Sequence, residues 1–233
     1  MNPKPLKEYC PVVPFQKGVD RIGRLDLSSG NQSLTEEIYN DLNRFCAYIE
    51  ELLARSGARY LVGGYGELRK IYAFSEHFGG SLNSDDATQP GGAEPRRLHL
   101  GQDVWSPAGT PVFAPIGGTL HSAAWNGTKG DYGGTVILQH RTGDLTWHTL
   151  YGHLSKASVS GKREGDVFAP GSGIGELGVP AENGQWPPHL HFQVILDMQG
   201  NKGDYPGVCR YSERAAYLEN CPDPEGLLPW GRP

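Results

Sequence analysis

The segment Trp186-Pro187-Pro188-His189-Leu190-His191-Phe192-Gln193-Val194 sets two imidazoles two residues apart, ahead of apolar Phe192, Val194 and Ile195. Successive side chains of a β-strand alternate faces, so a strand here sends His189 and His191 to one side and Leu190 to the other. The two prolines lack backbone donors and suit the entrance of that strand. Two imidazoles side by side at a strand mouth are suited to holding a metal ion. An isolated His-x-His, however, is equally a pair of half-exposed strand histidines, so the chemistry depends on further ligands.

Two other stretches can supply them. In His99-Leu100-Gly101-Gln102-Asp103 the end residues are both zinc-ligand types, and with His191 they make two nitrogens and one oxygen. Fully extended, His99 and Asp103 would lie roughly 13 Å apart, too far for one ion. The chain must bend between them, and Gly101 is where a bend costs least. The second stretch is Leu150-Tyr151-Gly152-His153-Leu154. Strict alternation over 145–154 places Trp147, Thr149, Tyr151 and His153 on one face, with His148 and Leu150 on the other. His153 then either faces a cleft or is an ordinary hydrogen-bonded strand histidine.

These residues fall in a β-rich region running from about 96 to 200. Short strands are expected at 111–114 and 118–125, across GGTVILQH and LTWHTLYGHL, around VFAPGSGIGELG, and at the His189 segment, separated by glycine turns. The fold class expected is mainly β, an antiparallel sheet or barrel-like sandwich with an open groove, α+β overall because of a helical N-terminal region. Residues 1–95 are read as an irregular arm, an amphipathic helix over 34–56 and a glycine-rich loop. In the helix Ile38, Leu42, Phe45, Ile49, Leu52 and Leu53 form one stripe, Ser33 and Glu36 give a capping-box pattern, and Gly57 is the stop. Residues 201–233 are a C-terminal extension with a short helix over 213–219. Loops 126–134 and 171–184 are expected to wall the groove, with Tyr132 and Trp186 as candidate substrate contacts. His77, His121, His140 and His148 are assigned structural roles, and Asp85 and Asp86 are loop carboxylates able to bind an ion.

The ordered set HLGQD, GTPVFAPIGGTL, LYGHLS and PHLHFQ resembles the LytM/lysostaphin-like family of zinc metallopeptidases over roughly residues 95–197. The resemblance implies zinc held by His99, Asp103 and His191, catalytic roles for His153 and His189, and peptide bonds of cell-wall peptides as substrate. GGYGELRKIY, DYGGTVILQH, ENGQWPPHLHFQ and GDYPGV followed by CPDP are similar to a peptidase-type module fused to phosphotransferase and aminotransferase domains in some bacterial proteins, a likeness that extends the family region to about residues 60–225. The mechanism implied is attack by zinc-activated water with a histidine general base. The alternative is a non-catalytic peptide-binding or regulatory module on the same fold.

Composition narrows the partners. With 33 glycines and 18 prolines in 233 residues, the chain is rich in turn formers. A net charge of −5 offers no basic stripe, so no nucleic acid is expected as partner. No stretch reads as a membrane span or a signal peptide, which points to a cytoplasmic protein unless the chain is trimmed. Cys10, Cys46, Cys209 and Cys221 are far apart and without a CxxC pair, so reduced thiols are expected, a Cys209–Cys221 bridge being the alternative in an exported protein. Oligomeric state is not legible.

Overall fold

Strand propensity and alternation carry through to an eight-stranded sheet in the computed structural model, which describes residues 9–72, 78, 94–228 and 230. His77, Asp85 and Asp86 lie outside the described residues. In chain order the elements are β1 (Ile22–Arg24), α1 (Glu36–Tyr39), α2 (Leu42–Ser56), β2 (Tyr60–Gly63), β3 (Leu98–His99), β4 (Gln102–Trp105) and β5 (Pro111–Phe113). There follow β6 (Gly118–Asn126), β7 (Gly133–Thr142), β8 (Leu145–Leu154), α3 (Lys156–Val159), β9 (Val167–Phe168), β10 (Gly173–Glu176), β11 (His189–Ile195), β12 (Val208–Cys209) and α4 (Arg214–Asn220).

The main sheet has the order β1-β2-β4-β11-β8-β7-β6-β9, open at both edges rather than closed into a barrel. Its pairings are antiparallel except β1 with β2. Two small sheets, β10 with β5 and β12 with β3, complete the β structure. Because β2 pairs with β4, setting Gly63 opposite Asp103, the sheet runs across the boundary expected near residue 95.

The pleat divides the strands between two faces. On one, Val104, Val136, Leu138, Tyr151, Leu190, Phe192 and Val194 join Val12, Val13 and Ile174 in the main apolar core. Each fully buried side chain of this kind contributes about 1.5–3 kcal/mol relative to exposure. On the other face lie two further clusters. One gathers Leu61, Trp105 and Tyr72 under Phe45 and Ile49 of α2. The second gathers Ile137, Leu150 and Ile195 with Tyr205, Cys209 and Cys221. All four cysteines are free.

The helix expected over 34–56 is interrupted. Asp41 leaves the helical region and its carboxylate accepts from the Asn43 and Arg44 backbone N–H groups, so it caps a new helix, α2. Residue Thr35, not Ser33, stands at the start of α1 and makes no side-chain cap. Gly57 does stop α2, at φ 61°, the left-handed conformation that glycine adopts without strain. The short C-terminal helix is present as α4.

Candidate metal centre

β11 lies between β4 and β8, which pairs His191 with Asp103 on one side and with Gly152 on the other. His189 and His191 project to the same face, as their spacing dictates. His99 reaches that face because the chain breaks between β3 and β4 at Leu100–Gly101. Gly101 makes the bend possible in a second way: a Cβ there would sit 2.6 Å from the Cε1 and Nε2 atoms of His191.

His99 Nε2, Asp103 Oδ1 and His191 Nδ1 converge. The two nitrogens are 2.9 Å apart, and the oxygen lies 3.3 Å from His99 Nε2 and 3.2 Å from His191 Nδ1. Three ligands on a tetrahedral zinc with bonds of 2.0–2.1 Å stand roughly 3.3 Å from one another. The remaining atoms of each group decide what the three present to one another. The His99 Nδ1–H donates to the Gly64 carbonyl at 3.0 Å, and the His191 Nε2–H donates to Gln193 Oε1 at 2.8 Å. Asp103 Oδ2 accepts from Arg69 Nη1 at 2.7 Å. With those protons placed, three lone pairs face each other with no hydrogen between them, in a site where Asp103 is wholly buried. Such an arrangement repels itself unless a cation sits at the centre. The donor set therefore fits a metal ion, and it is the one such group found among the described residues.

His153 reaches the same face by a device that alternation does not foresee. Along the β7–β8 ladder Gly134 faces Leu154 while Val136 faces Tyr151, so β8 carries one extra residue. The bulge is at Gly152–His153, where His153 has φ 62°. Tyr151 and Leu154 consequently both enter the main core, and His153 turns away from the Trp147–Tyr151 face to stand 4.1 Å from His189, ring to ring. Both rings donate Nδ1–H to a backbone carbonyl, His153 to Asn183 at 2.9 Å and His189 to Pro187 at 2.7 Å. Each is left with Nε2 as a free base. Trp105 stacks on His189 at 4.0 Å, fixing its plane.

Charge follows from burial. Burial, with Arg69 close by, holds the His99 pKa down at about 3. Burial likewise lowers His189 to about 4 against the opposing pull of Asp103, and burial with the His189 neighbour lowers His153 well below the usual range. For Asp103 burial acts upward, but the His99 and Arg69 neighbours outweigh it and keep the carboxyl ionised.

The cleft beside these groups has a volume of about 100 Å³ and is walled by Tyr132, Trp186, Tyr72, Phe78 and Pro206 among others. Tyr132 and Trp186 thus line the cleft as expected of substrate contacts, and Gly130 and Asp131 bring the 126–134 loop to it. The buried indole N–H groups of Trp105 and Trp186, both in that lining, have no acceptor among the described residues. His140 bridges the Gly117 carbonyl and the Thr149 hydroxyl, a structural role, while His121 and His148 sit together in a separate depression.

Sequence reasoning missed the supports. Gln193 was findable, because it shares the His189–His191 face by period two. Gly64 and Arg69 fall in the GGYGELRKIY stretch that the module likeness singled out, but no local pattern gave them a role, because their partners lie more than thirty positions away.

The structure is thus an open β-sheet carrying a buried His-Asp-His donor triangle that could hold a metal ion, beside two free-base histidines. Residues 97–204 match peptidase family M23, and this region of the chain belongs to that family. The DD-carboxypeptidase/endopeptidase Mpg of Neisseria meningitidis serogroup B is 38% identical over 103 residues, 44% of this chain and 21% of that one. The L-Ala--D-Glu endopeptidase of Bacillus subtilis is 32% identical over 107 residues, 44% of this chain and 31% of that protein. The chain thus spans less than a third of the length of these curated relatives. The solved catalytic domain of lysostaphin from Staphylococcus simulans aligns at 25% identity and a TM-score of 0.37, covering 53% of this chain and 81% of that one.

Proposed function

We propose that the chain is a zinc-dependent endopeptidase acting on peptidoglycan-type peptides, with His99, Asp103 and His191 as metal ligands and His153 and His189 as catalytic groups. The observation that carries this reading is the triangle of lone pairs whose protons are all engaged elsewhere, set beside two imidazoles with free Nε2 atoms. Zinc held there supplies Lewis acidity toward a peptide carbonyl and makes water acidic enough to deprotonate near neutral pH. Three protein donors leave room for substrate or water, as a catalytic rather than a closed structural site requires.

The chain's own residues do the rest. His189 Nε2, held in register by the Pro187 carbonyl and by Trp105, accepts the proton of the attacking water. His153 Nε2 faces the same space from the neighbouring strand and serves the oxyanion or the leaving amine. The indole N–H groups of Trp105 and Trp186 suit the carbonyls of an extended peptide, which would satisfy two buried donors. The activities for which the M23 relatives are named, those of a DD-carboxypeptidase/endopeptidase and an L-Ala--D-Glu endopeptidase, support peptidoglycan peptides as the substrate class.

The test is incubation with purified muropeptides and with plain oligopeptides, with and without chelator, the products read by mass spectrometry. Chelator-sensitive cleavage of muropeptides, restored by zinc, is the expected result. Cleavage of neither substrate by zinc-loaded protein would refute the reading and favour a binding module.

A further inference from the structure

Asp103 offers its two oxygens to different partners, and the partner of the second comes from outside the M23 region. Oδ1 faces the two ligand imidazoles, while Oδ2 accepts from Arg69 Nη1 at 2.7 Å. The guanidinium is itself anchored on several sides. Its Nε–H donates to Glu67 Oε2 at 2.7 Å and its Nη1 also reaches the Tyr72 hydroxyl at 3.0 Å. Glu67 in turn accepts the Leu27 backbone N–H at 2.9 Å through its other oxygen. Arg69 is 1% exposed, so this is a buried cation paired with two carboxylates. A glycine makes room for it: Gly64 has φ 113°, and a Cβ there would overlap the Arg69 guanidinium and come within 2.9 Å of His99 Nδ1.

Resting on the metal-centre reading above, we propose that Arg69 is a positioning residue that restricts Asp103 to one-oxygen donation, keeping the remaining coordination space free for water and substrate. The planar fork suits this task because it holds Asp103 and Glu67 at once, which a point charge cannot do. A carboxylate without such a partner can turn its second oxygen onto a cation and fill that space. Oδ2 also lies 4.0 Å from His189 Nε2, so a swung carboxylate would intrude on the proposed base as well. The functional unit thus includes the 60–72 stretch, which carries both Gly64 and Arg69, in keeping with the likeness that reaches back to about residue 60.

Cobalt(II) substitution tests this without relying on turnover, because its visible absorption is intense for four ligands and weakens as the coordination number rises. Wild type, Arg69→Met and Glu67→Gln are loaded with cobalt, retention is checked by chelator competition, and spectra are compared. Arg69→Met is expected to keep cobalt but lose intensity at the visible bands. Glu67→Gln, which loosens the anchor while leaving the arginine, is expected to shift the same way by less. If Arg69→Met fails to fold, the Glu67→Gln spectrum decides alone. A spectrum identical to wild type in every variant that folds overturns the proposal. Failure of wild type to bind cobalt or zinc at all overturns the metal-centre reading instead, so the two failures are distinguishable.

Discussion

Replacing Gln193 with leucine isolates the proton on which the donor triangle depends. Gln193 is fully buried on β11, and its Oε1 is the acceptor, at 2.8 Å, that keeps the His191 proton on Nε2. Leucine conserves volume and removes the acceptor, leaving only the Tyr132 hydroxyl at 3.3 Å. The ring then either keeps a buried N–H with only that long contact, at a cost of about 1–3 kcal/mol, or moves its proton to Nδ1. There the proton finds His99 Nε2 at 2.9 Å and Asp103 Oδ1 at 3.2 Å, so the metal-free protein favours the wrong tautomer. Metal binding must reverse that shift. The dissociation constant for zinc should therefore rise about 5- to 150-fold, the factor corresponding to 1–3 kcal/mol. Losses of 10–100-fold are typical when a ligand's outer hydrogen-bond partner is removed. Competition with a chromophoric chelator at pH 7 measures it, with circular dichroism to confirm folding. Turnover at saturating zinc should stay near wild type, because Gln193 does not line the cleft. Wild-type zinc affinity in folded Gln193→Leu would refute the tautomer argument.

His189→Ala should retain zinc but lose hydrolysis by a factor of about 10²–10⁴, the usual worth of a general base; zinc loss matching that of His191→Ala would reassign it as a ligand. In Gly101→Ala the new methyl group falls 2.6 Å from the His191 ring and 2.9 Å from the Phe192 carbonyl, so an overpacking cost of about 1–3 kcal/mol and weakened zinc binding are expected together, read by thermal melts and metal titration. Acid should destabilise the metal-free protein before any carboxylate titrates. His99 and His189 stay neutral in the fold down to about 3 and 4, whereas unfolded histidine protonates near 6.5. The unfolded chain therefore binds more protons below that value, and stability is complete above pH 6.5 and declines as pH falls toward 4. Melting temperatures of the metal-free protein measured across that window should fall steadily, and a flat profile contradicts the buried neutral imidazoles.

What the sequence made legible was whatever repeats along the chain. Period two put His189 and His191 on one face, glycine marked the bend between His99 and Asp103, and spacing of three and four gave the α2 stripe that packs over Trp105. Each of these depends on neighbours within a few residues, so local chemistry is sufficient. His153 shows where that reasoning stops. Alternation assigned it to the face of Tyr151, but one extra residue in β8 reverses the parity of everything after it, and the cost of φ 62° at a histidine is met only by the surrounding contacts. Its N–H to the Tyr132 carbonyl, its ring to the Asn183 carbonyl and its own carbonyl to the Gly178 N–H come from two separate loops, the one before β7 and the one between β10 and β11. The α1–α2 break has the same origin on a smaller scale, since Asp41 satisfies helix donors that a continuous helix would have satisfied itself. Arg69 extends the point to function. A buried arginine looks like a liability in sequence, and only the fold reveals two carboxylates and a phenol waiting for its donors. Candidate binding and reacting residues are thus legible in their types, whereas the residues that aim them are defined by partners far away in sequence, so even a stretch that stands out, as GGYGELRKIY does, keeps their roles hidden until the fold assembles it.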